Sequence, residues 1–390
     1  MRSRSRTSII LVIACVIGLA GCGPADEVLI DPAPVERDRT DLGLGPGVRA
    51  MTAGPGDKGS PSYGPDDERL AFVMDGYVVE KDLSTGTLDR RTTKDFGAGA
   101  VDWGHYGEKL TVTAPEGEEG AFALYRTQSD GSGDMGVTLI SEGVLAAARV
   151  PGGSDLLAAF AGETQSTLAR LKEDGEVSRL YTRKLDGSAT GVSLSPDGHR
   201  ALTSTREDGF FSLYVVDLLE GSVRQVARTE EGKEILGAPQ WTREGLYYVA
   251  GESEASEETP VYELYRLPAD AGANTRAEIV SDIGEDFIPS NIRVSPEGDR
   301  LAVLGRRSLN SPANLYVLDL ENGDLQTATS NENMEIKTGP GDLAWSTGGQ
   351  SVVLVARAMS TEIEVQATPA DKITADFYNV YEVPVEDLGD

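Results

Sequence analysis

The stretch Val192-Ser193-Leu194-Ser195-Pro196-Asp197-Gly198-His199-Arg200-Ala201-Leu202 recurs as Ile292-Arg293-Val294-Ser295-Pro296-Glu297-Gly298-Asp299-Arg300-Leu301-Ala302. In both, an alternating apolar run ends at Ser-Pro-acid-Gly and a second β-rich run begins. Proline presets φ for the first corner of a turn, and glycine accepts φ > 0, so the stretch reads as strand, turn and returning strand. Weaker copies start near Ser62, Val101, Ala148, Pro239 and Leu343. One apolar or aromatic residue anchors each copy: Tyr63, Trp103, Val150, Leu194, Trp241, Val294 and Trp345. All three tryptophans of the chain fall at this position.

Each copy has a second half. Leu213-Tyr214-Val215-Val216-Asp217-Leu218-Leu219-Glu220-Gly221 matches Leu315-Tyr316-Val317-Leu318-Asp319-Leu320-Glu321-Asn322-Gly323, with weaker forms centred on Tyr77, Tyr125, Tyr265 and Tyr381. A glycine turn then leads to a short alternating strand such as Ser222-Val223-Arg224-Gln225-Val226. Four antiparallel strands repeated roughly every 40 to 55 residues describe propeller blades. The alternation and the frequent Gly/Pro punctuation exclude long helices. The expected fold is all-β: a seven-bladed β-propeller of four-stranded antiparallel blades over residues 47–390. The final copy stops near Leu388 after its third strand, while Gly47-Val48-Arg49-Ala50-Met51-Thr52 has the look of a fourth strand. This N-terminal strand, about 47–52, is expected to pair in the last blade and close the ring, which covers an otherwise open strand edge.

The chain opens Met1-Arg2-Ser3-Arg4-Ser5-Arg6, runs apolar from Ile9 to Ala20, and reaches Leu19-Ala20-Gly21-Cys22. A cationic start, a short apolar core and small residues before a cut site make a secretory signal over residues 1–21. The apolar run is shorter than the roughly 20 residues a membrane-spanning helix takes. Of the 2 cysteines, Cys15 leaves with the signal, so the processed chain has no disulfide. Residues 22–46, rich in proline and glycine without apolar periodicity, read as a flexible tether. The formal net charge is -29, and loss of the three leader arginines makes the processed body more acidic still. That charge excludes direct binding to nucleic acid or an anionic membrane and favours a soluble monomer.

The Leu-Ala-Gly-Cys ending resembles the lipobox of bacterial lipoproteins, which implies cleavage before Cys22 and lipidation of its thiol. The turn motifs resemble those of TolB-like propellers with WD-like repeats, over roughly residues 47–390. Ser195–Gly198 and Ser295–Gly298 are good matches and the other five copies are degenerate. The motif specifies architecture rather than chemistry. The resemblance implies an extracytoplasmic, protein-binding scaffold. The LpqB lipoproteins also combine a lipobox with such a propeller, with a further domain between them, for which this chain leaves no room.

The search for chemistry finds little. The 2 histidines, His105 and His199, both fall in turns after a first strand. No spaced metal-ligand set, nucleophile elbow or phosphate loop appears. Asp130-Gly131-Ser132-Gly133-Asp134 lacks the remaining ligands of a calcium loop, and the glutamates at 252, 254, 257 and 258 read as solvated. No cofactor and no metal are expected. One pattern stands out. The residue before each anchor is Ser62, Asp102, Arg149, Ser193, Gln240, Arg293 or Ala344, polar in all but the last. Innermost strands line a propeller's channel, so these side chains either satisfy one another and channel water or form a polar floor for an anionic ligand or a partner's tail. Arg149, Arg293, Gln240 and Asp102 are the binding candidates.

The function expected is a membrane-anchored, extracytoplasmic lipoprotein. Its propeller would be a non-catalytic binding or scaffold module, offering a loop face to another envelope or extracellular protein or to a small ligand. The alternative is an extracellular hydrolase or lyase acting on saccharide or peptide in the channel. Replacing Cys22 with serine is expected to release the protein into the medium or leave it unprocessed. Fractionation and N-terminal mass analysis check this, and a Cys22→Ser protein that is still acylated and membrane-bound overturns the lipid assignment.

Overall fold

The structure, a computed structural model, describes residues 29–30 and 44–385, apart from short stretches at 54, 94–95, 104–109, 117–120, 128–136, 163, 182–183, 253–261, 281–286, 309, 332 and 359–376. Cys22 and His105 therefore lie outside the described residues, as do Asp130–Asp134 and the glutamates at 254, 257 and 258. The architecture is all-β, with no α-helix among the described residues and antiparallel pairing throughout the named strands. Successive strands of each repeat pair in chain order. Ser188–Leu194, Arg200–Glu207, Phe210–Asp217 and Val223–Arg228 make one four-stranded sheet. Ile288–Val294, Arg300–Arg306, Asn314–Asp319 and Leu325–Thr327 make another.

The turns that suggested this repeat are built alike. Ser195 and Ser295 each accept, on the side-chain oxygen, the backbone N–H of Arg200 and Arg300 at 2.9 and 3.0 Å. Gly198 and Gly298 take φ of 69° and 76° and donate back to the serine carbonyl. Ser346 repeats the motif without proline: its hydroxyl accepts from Ser351 N at 3.1 Å, and Gly349 takes φ of 69°. The turn between third and fourth strands is equally regular. Asp82, Asp217 and Asp319 each cap two backbone N–H groups that follow them. A short carboxylate reaching its own backbone is how Asp favours turns.

The anchors pack between sheets. Trp103 and Trp241 are 3% exposed and Trp345 9%. Each carries, on its ring, the arginine that opens the second strand of the preceding sheet. Arg69 lies 4.5 Å from the Trp103 centroid, Arg200 4.8 Å from Trp241 and Arg300 5.2 Å from Trp345. The same clasp in three places explains why tryptophan and arginine recur at fixed offsets in the sequence. A cation over an aromatic face contributes about 0.5–2 kcal/mol depending on desolvation. Tyr63, the first anchor, instead meets Ser351 and Glu382 of the last sheet, donating to Glu382 at 2.8 Å.

The strand pattern departs from seven separate sheets. One continuous strand, Val137–Arg149, pairs by its first half with Ala121–Thr127 and by its second with Leu156–Phe160. It joins two repeats into a single eight-stranded sheet, so the hydrogen bonding gives six sheets among the described residues. Register shifts between Leu139 and Val144, with Gly143 at φ of 67°, let the strand turn from one repeat to the next without breaking.

The chain ends meet. Arg49 and Ala50 pair antiparallel with Glu382 and Tyr381, and Met51 N donates to Val380 O at 2.8 Å. Arg49 also pairs with Glu382 through its guanidinium. Met51, Tyr63, Phe72, Val353, Val355 and Val380 form one buried cluster between the first and last sheets. The body also begins earlier than residue 47. Leu44 is fully buried in the cluster that holds Val48, Trp345 and Tyr381, because its side chain completes that core. The stretch expected to be all tether contains a short strand as well, Leu29–Ile30, which pairs with Leu88 and Thr87. Deleting residues through 43 is expected to change the melting temperature by a few degrees at most. Extending the deletion through Thr52 uncovers the Asn379–Pro384 edge and empties the Leu44, Val48 and Met51 sites, a loss of several kcal/mol at 2–5 kcal/mol per large buried side chain. Calorimetry of the two truncations checks the contrast.

Candidate functional site

The four channel candidates separate into different roles. Gln240 is 4% exposed and fully engaged: its amide nitrogen donates to Ala238 O at 2.9 Å and its oxygen accepts from Val294 N at 3.3 Å. It is a strut between neighbouring first strands. Ser62 works the same way, accepting from Trp103 N at 2.8 Å. Arg149 donates to Thr111 Oγ1 at 2.8 Å, and its Nε stands 3.6 Å from Asp102. The Asp102 side chain is 63% exposed. Arg293 donates from Nε to Leu343 O at 3.3 Å and from Nη2 to Pro340 O at 3.0 Å. Burial pulls the Arg293 guanidinium below its ordinary range, while the Asp102 charge opposes that shift. The structure thus brings Arg149 and Asp102 together, places Arg293 within electrostatic reach of Asp102, and leaves Gln240 out. The Arg149 Nε and the Ser193 hydroxyl are buried without a hydrogen-bond partner. His199 sits in an exposed turn beside Asp197. Among the described residues, no group of three or more His, Cys, Asp or Glu is arranged to hold a metal ion.

A second opening was not visible in the motif spacing. A cavity of about 730 Å³ lies where the first strands begin, walled by Gly59, Ser60, Ala100, Phe122, Lys337 and Asp342 among others. That volume falls within the range of small-molecule sites. Its origin is an irregularity in the repeat. First strands elsewhere carry a small register shift, as between Ala189 and Gly191 or Pro289 and Asn291, where one extra residue is accommodated. In the last sheet, Ile336 pairs with Ala356 and Leu343 with Leu354, so the six residues from Lys337 to Asp342 stand opposite Val355 alone. The bulge has grown into a loop, Lys337-Thr338-Gly339-Pro340-Gly341-Asp342. The Gly-Pro-Gly run just ahead of the Trp345 anchor was the available signal, at a place where the other good copies carry strand residues.

This loop is clamped from both sides. Asn291, 5% exposed, donates to Gly339 O at 2.7 Å, and Arg293 holds Pro340 O. Across the cavity, Ser60 N donates to Asp342 Oδ1 at 3.1 Å. Lys337 donates to Lys58 O at 3.0 Å and lies 4.3 Å from the Tyr378 ring centroid. Burial raises the Asp342 carboxyl above the usual range, and the Ser60 N–H and Lys337 hold the rise back. Ser60 itself sits at φ of 49°. A non-glycine residue in the left-handed region costs about 1–3 kcal/mol and persists only where its surroundings impose it. A Cβ at Gly341 would stand 2.9 Å from the Ser60 hydroxyl, so glycine is required for this approach.

Comparison with known proteins agrees with the fold. The sequence model of the family described as "Lipoprotein LpqB beta-propeller domain" matches residues 133–386. No curated protein matches the chain. Among solved structures, the β-propeller domain of the Trilobed protease from Pyrococcus furiosus, described as having an open velcro topology, is similar at TM-score 0.53 and 12% identity. That match covers 86% of this chain and 99% of that one. Kuenenia stuttgartiensis hydrazine synthase is similar at TM-score 0.54 and 15% identity, covering 79% and 95%. The oligogalacturonate lyase from Vibrio parahaemolyticus follows at 0.51 and 11%, covering 87% and 94%. These likenesses are of fold.

Arg293→Ala removes the donor from the part-buried Leu343 carbonyl and from the Pro340 carbonyl, and is expected to destabilise the protein by about 1–3 kcal/mol. Asp102→Asn, at an exposed side chain, should stay within about 0.5 kcal/mol of the parent. Urea denaturation midpoints of the two variants test the distinction between a strut and an exposed group.

Proposed function

The chain belongs to the LpqB β-propeller domain family, and on that footing we propose that it is an extracytoplasmic, membrane-anchored lipoprotein whose propeller is a non-catalytic binding module. The anchor is the lipid on Cys22, and residues 22–43 lead from it to the body. The four-strand groups are read as seven blades of one ring, closed by the pairing of Arg49 and Ala50 with the last sheet. The shared strand Val137–Arg149 and the core between first and last sheets support that reading.

The observation that carries the binding role is the asymmetry between the two faces. On one face the turns between first and second strands are short and alike, built on Ser195, Ser295 and Ser346. On the other face the connections between second and third strands vary widely. Asp75 and Gly76 alone join Arg69–Met74 to Tyr77–Asp82, whereas residues 253–261 and 359–378 fill the corresponding places in later repeats. Rigid scaffolds place recognition on their variable loops. The cavity and its clamped loop open on this variable face. The acidity of the chain favours a neutral or basic partner and disfavours nucleic acid.

Site-specific photo-crosslinking in membranes tests the reading. A crosslinking residue at position 122, on the variable face, is expected to capture a partner or ligand. One at position 297, in the uniform turns, is expected to capture none. Equal capture from both faces, or capture only from position 297, overturns the assignment.

A further inference from the structure

We propose that the cavity between the Lys337–Asp342 loop and the first two repeats is a binding site for a neutral oligosaccharide segment. The proposal rests on the binding-module reading above and names what that module holds.

The site is built rather than incidental. Among the described residues the last repeat expands its first-strand bulge furthest, to six residues against one where Lys233–Trp241 has three, and that loop forms a wall of the cavity. Side chains from both neighbouring sheets fix it, Asn291 and Arg293 on one side and the Ser60 backbone on the other. The opposite wall includes Ser60 in a strained conformation. Departures from a regular pattern that the surroundings hold in place cluster at functional sites.

The chemistry of the walls selects the ligand. Lys337 is a donor held in place by the Tyr378 ring, and Asp342 is an acceptor beside it. Gly59 and Gly341 also line the opening, and their missing Cβ atoms leave room for the Asp342 carboxylate, the Lys337 ammonium and the Ser60 hydroxyl to stand where they do. Phe122 and Pro340 supply flat apolar surface. Hydroxyl groups that donate and accept at once, on a ring with an apolar face, match this mixture. A carboxylated or phosphorylated ligand would meet Asp57, Asp75 and Asp342 in the same walls, and a cation would meet Lys58 and Lys337. A peptide adding as a strand needs a straight exposed edge. The first strands at the cavity do not offer one: that of the last sheet is interrupted from Lys337 to Asp342, that of the second repeat is only Ala100–Asp102, and that of the first repeat, the edge strand Lys58–Tyr63, is broken in register between Gly59 and Ser62.

The test is titration calorimetry of the full, detergent-solubilised chain with maltose, cellobiose and N,N′-diacetylchitobiose. Digalacturonate and a neutral tripeptide serve as contrasting probes. Saturable binding of at least one neutral disaccharide is expected, weakened tenfold or more by Lys337→Met and by Phe122→Ala and unchanged by Glu297→Gln. Thermal melts confirm that each variant is folded. Because Asp342 and Lys337 both tie the last sheet to the first, Phe122→Ala, which removes no such tie, is the control that separates lost ligand contact from a loosened wall. Failure of all three neutral disaccharides to bind overturns the proposal, as does binding that survives both substitutions. Tighter binding of digalacturonate or of the tripeptide overturns it as well. A partner crosslinked at position 122 in the absence of any saccharide binding would leave the binding-module reading standing and remove this one.

Discussion

A four-stranded antiparallel sheet with apolar residues on both faces cannot be stable alone in water; it must be covered on each side. That constraint organises this molecule. Phe211, Leu213 and Val215 of one sheet pack with Trp241 and Tyr248 of the next, and Tyr247 and Val249 of that sheet with Ile292 and Val303 of the one after. Every sheet is therefore both host and guest, and the anchors sit where two sheets meet. The Arg69–Trp103, Arg200–Trp241 and Arg300–Trp345 stacks cap these interfaces at the end near the uniform turns. An arginine there covers the ring with its guanidinium while keeping its own hydration in part, which lysine does less well.

The same constraint decides what the sequence could disclose. The turns were legible because proline, glycine and a short carboxylate act locally, within a few residues. The anchors were legible because a tryptophan that must fill an interface recurs wherever the interface does. Gln240 and Arg293 were recognised as unusual polar residues on apolar strands, yet their partners are backbone groups of neighbouring sheets: Val294 N for one, Pro340 O and Leu343 O for the other. A backbone carbonyl has no letter in the sequence, so a strut and a binding group look alike there. The 337–342 loop was hidden for a related reason. It reads as a linker until the pairing of Ile336 with Ala356 and Leu343 with Leu354 shows how little partner chain it spans. The strand Val137–Arg149 was hidden by its own irregularity, since its register shifts break the alternation that marks a strand.

Charge follows the same division of labour. Several cations are turned inward or onto rings. Lys81 is 3% exposed and donates to Met51 O at 2.7 Å, and Lys58 is 2% exposed. Arg91 is paired with the buried Glu80 carboxylate, whose pKa burial raises and Arg91 pulls back down. Much of the basic complement is thus committed to holding sheets together. The net charge of -29 is expressed on the surface by carboxylates. Like charges in this number repel one another, which disfavours self-association and acidic ligands.

The cavity loop and the strand at Arg49 and Ala50 belong to one sheet. Lys337 continues the strand that pairs with Ser351–Ala358, whose other neighbour is Asn379–Pro384. That strand in turn accepts Arg49 and Ala50 from the opposite end of the chain. Leu44, Val48, Ile336, Leu343 and Tyr381 share a single buried cluster, so the residues that follow the tether and those that flank the loop pack on the same side chains. Packed interiors transmit small displacements instead of absorbing them. The loop wall of the cavity is therefore braced by the Arg49–Ala50 strand, and the order of that wall depends on the pairing of Arg49 and Ala50 with Glu382 and Tyr381.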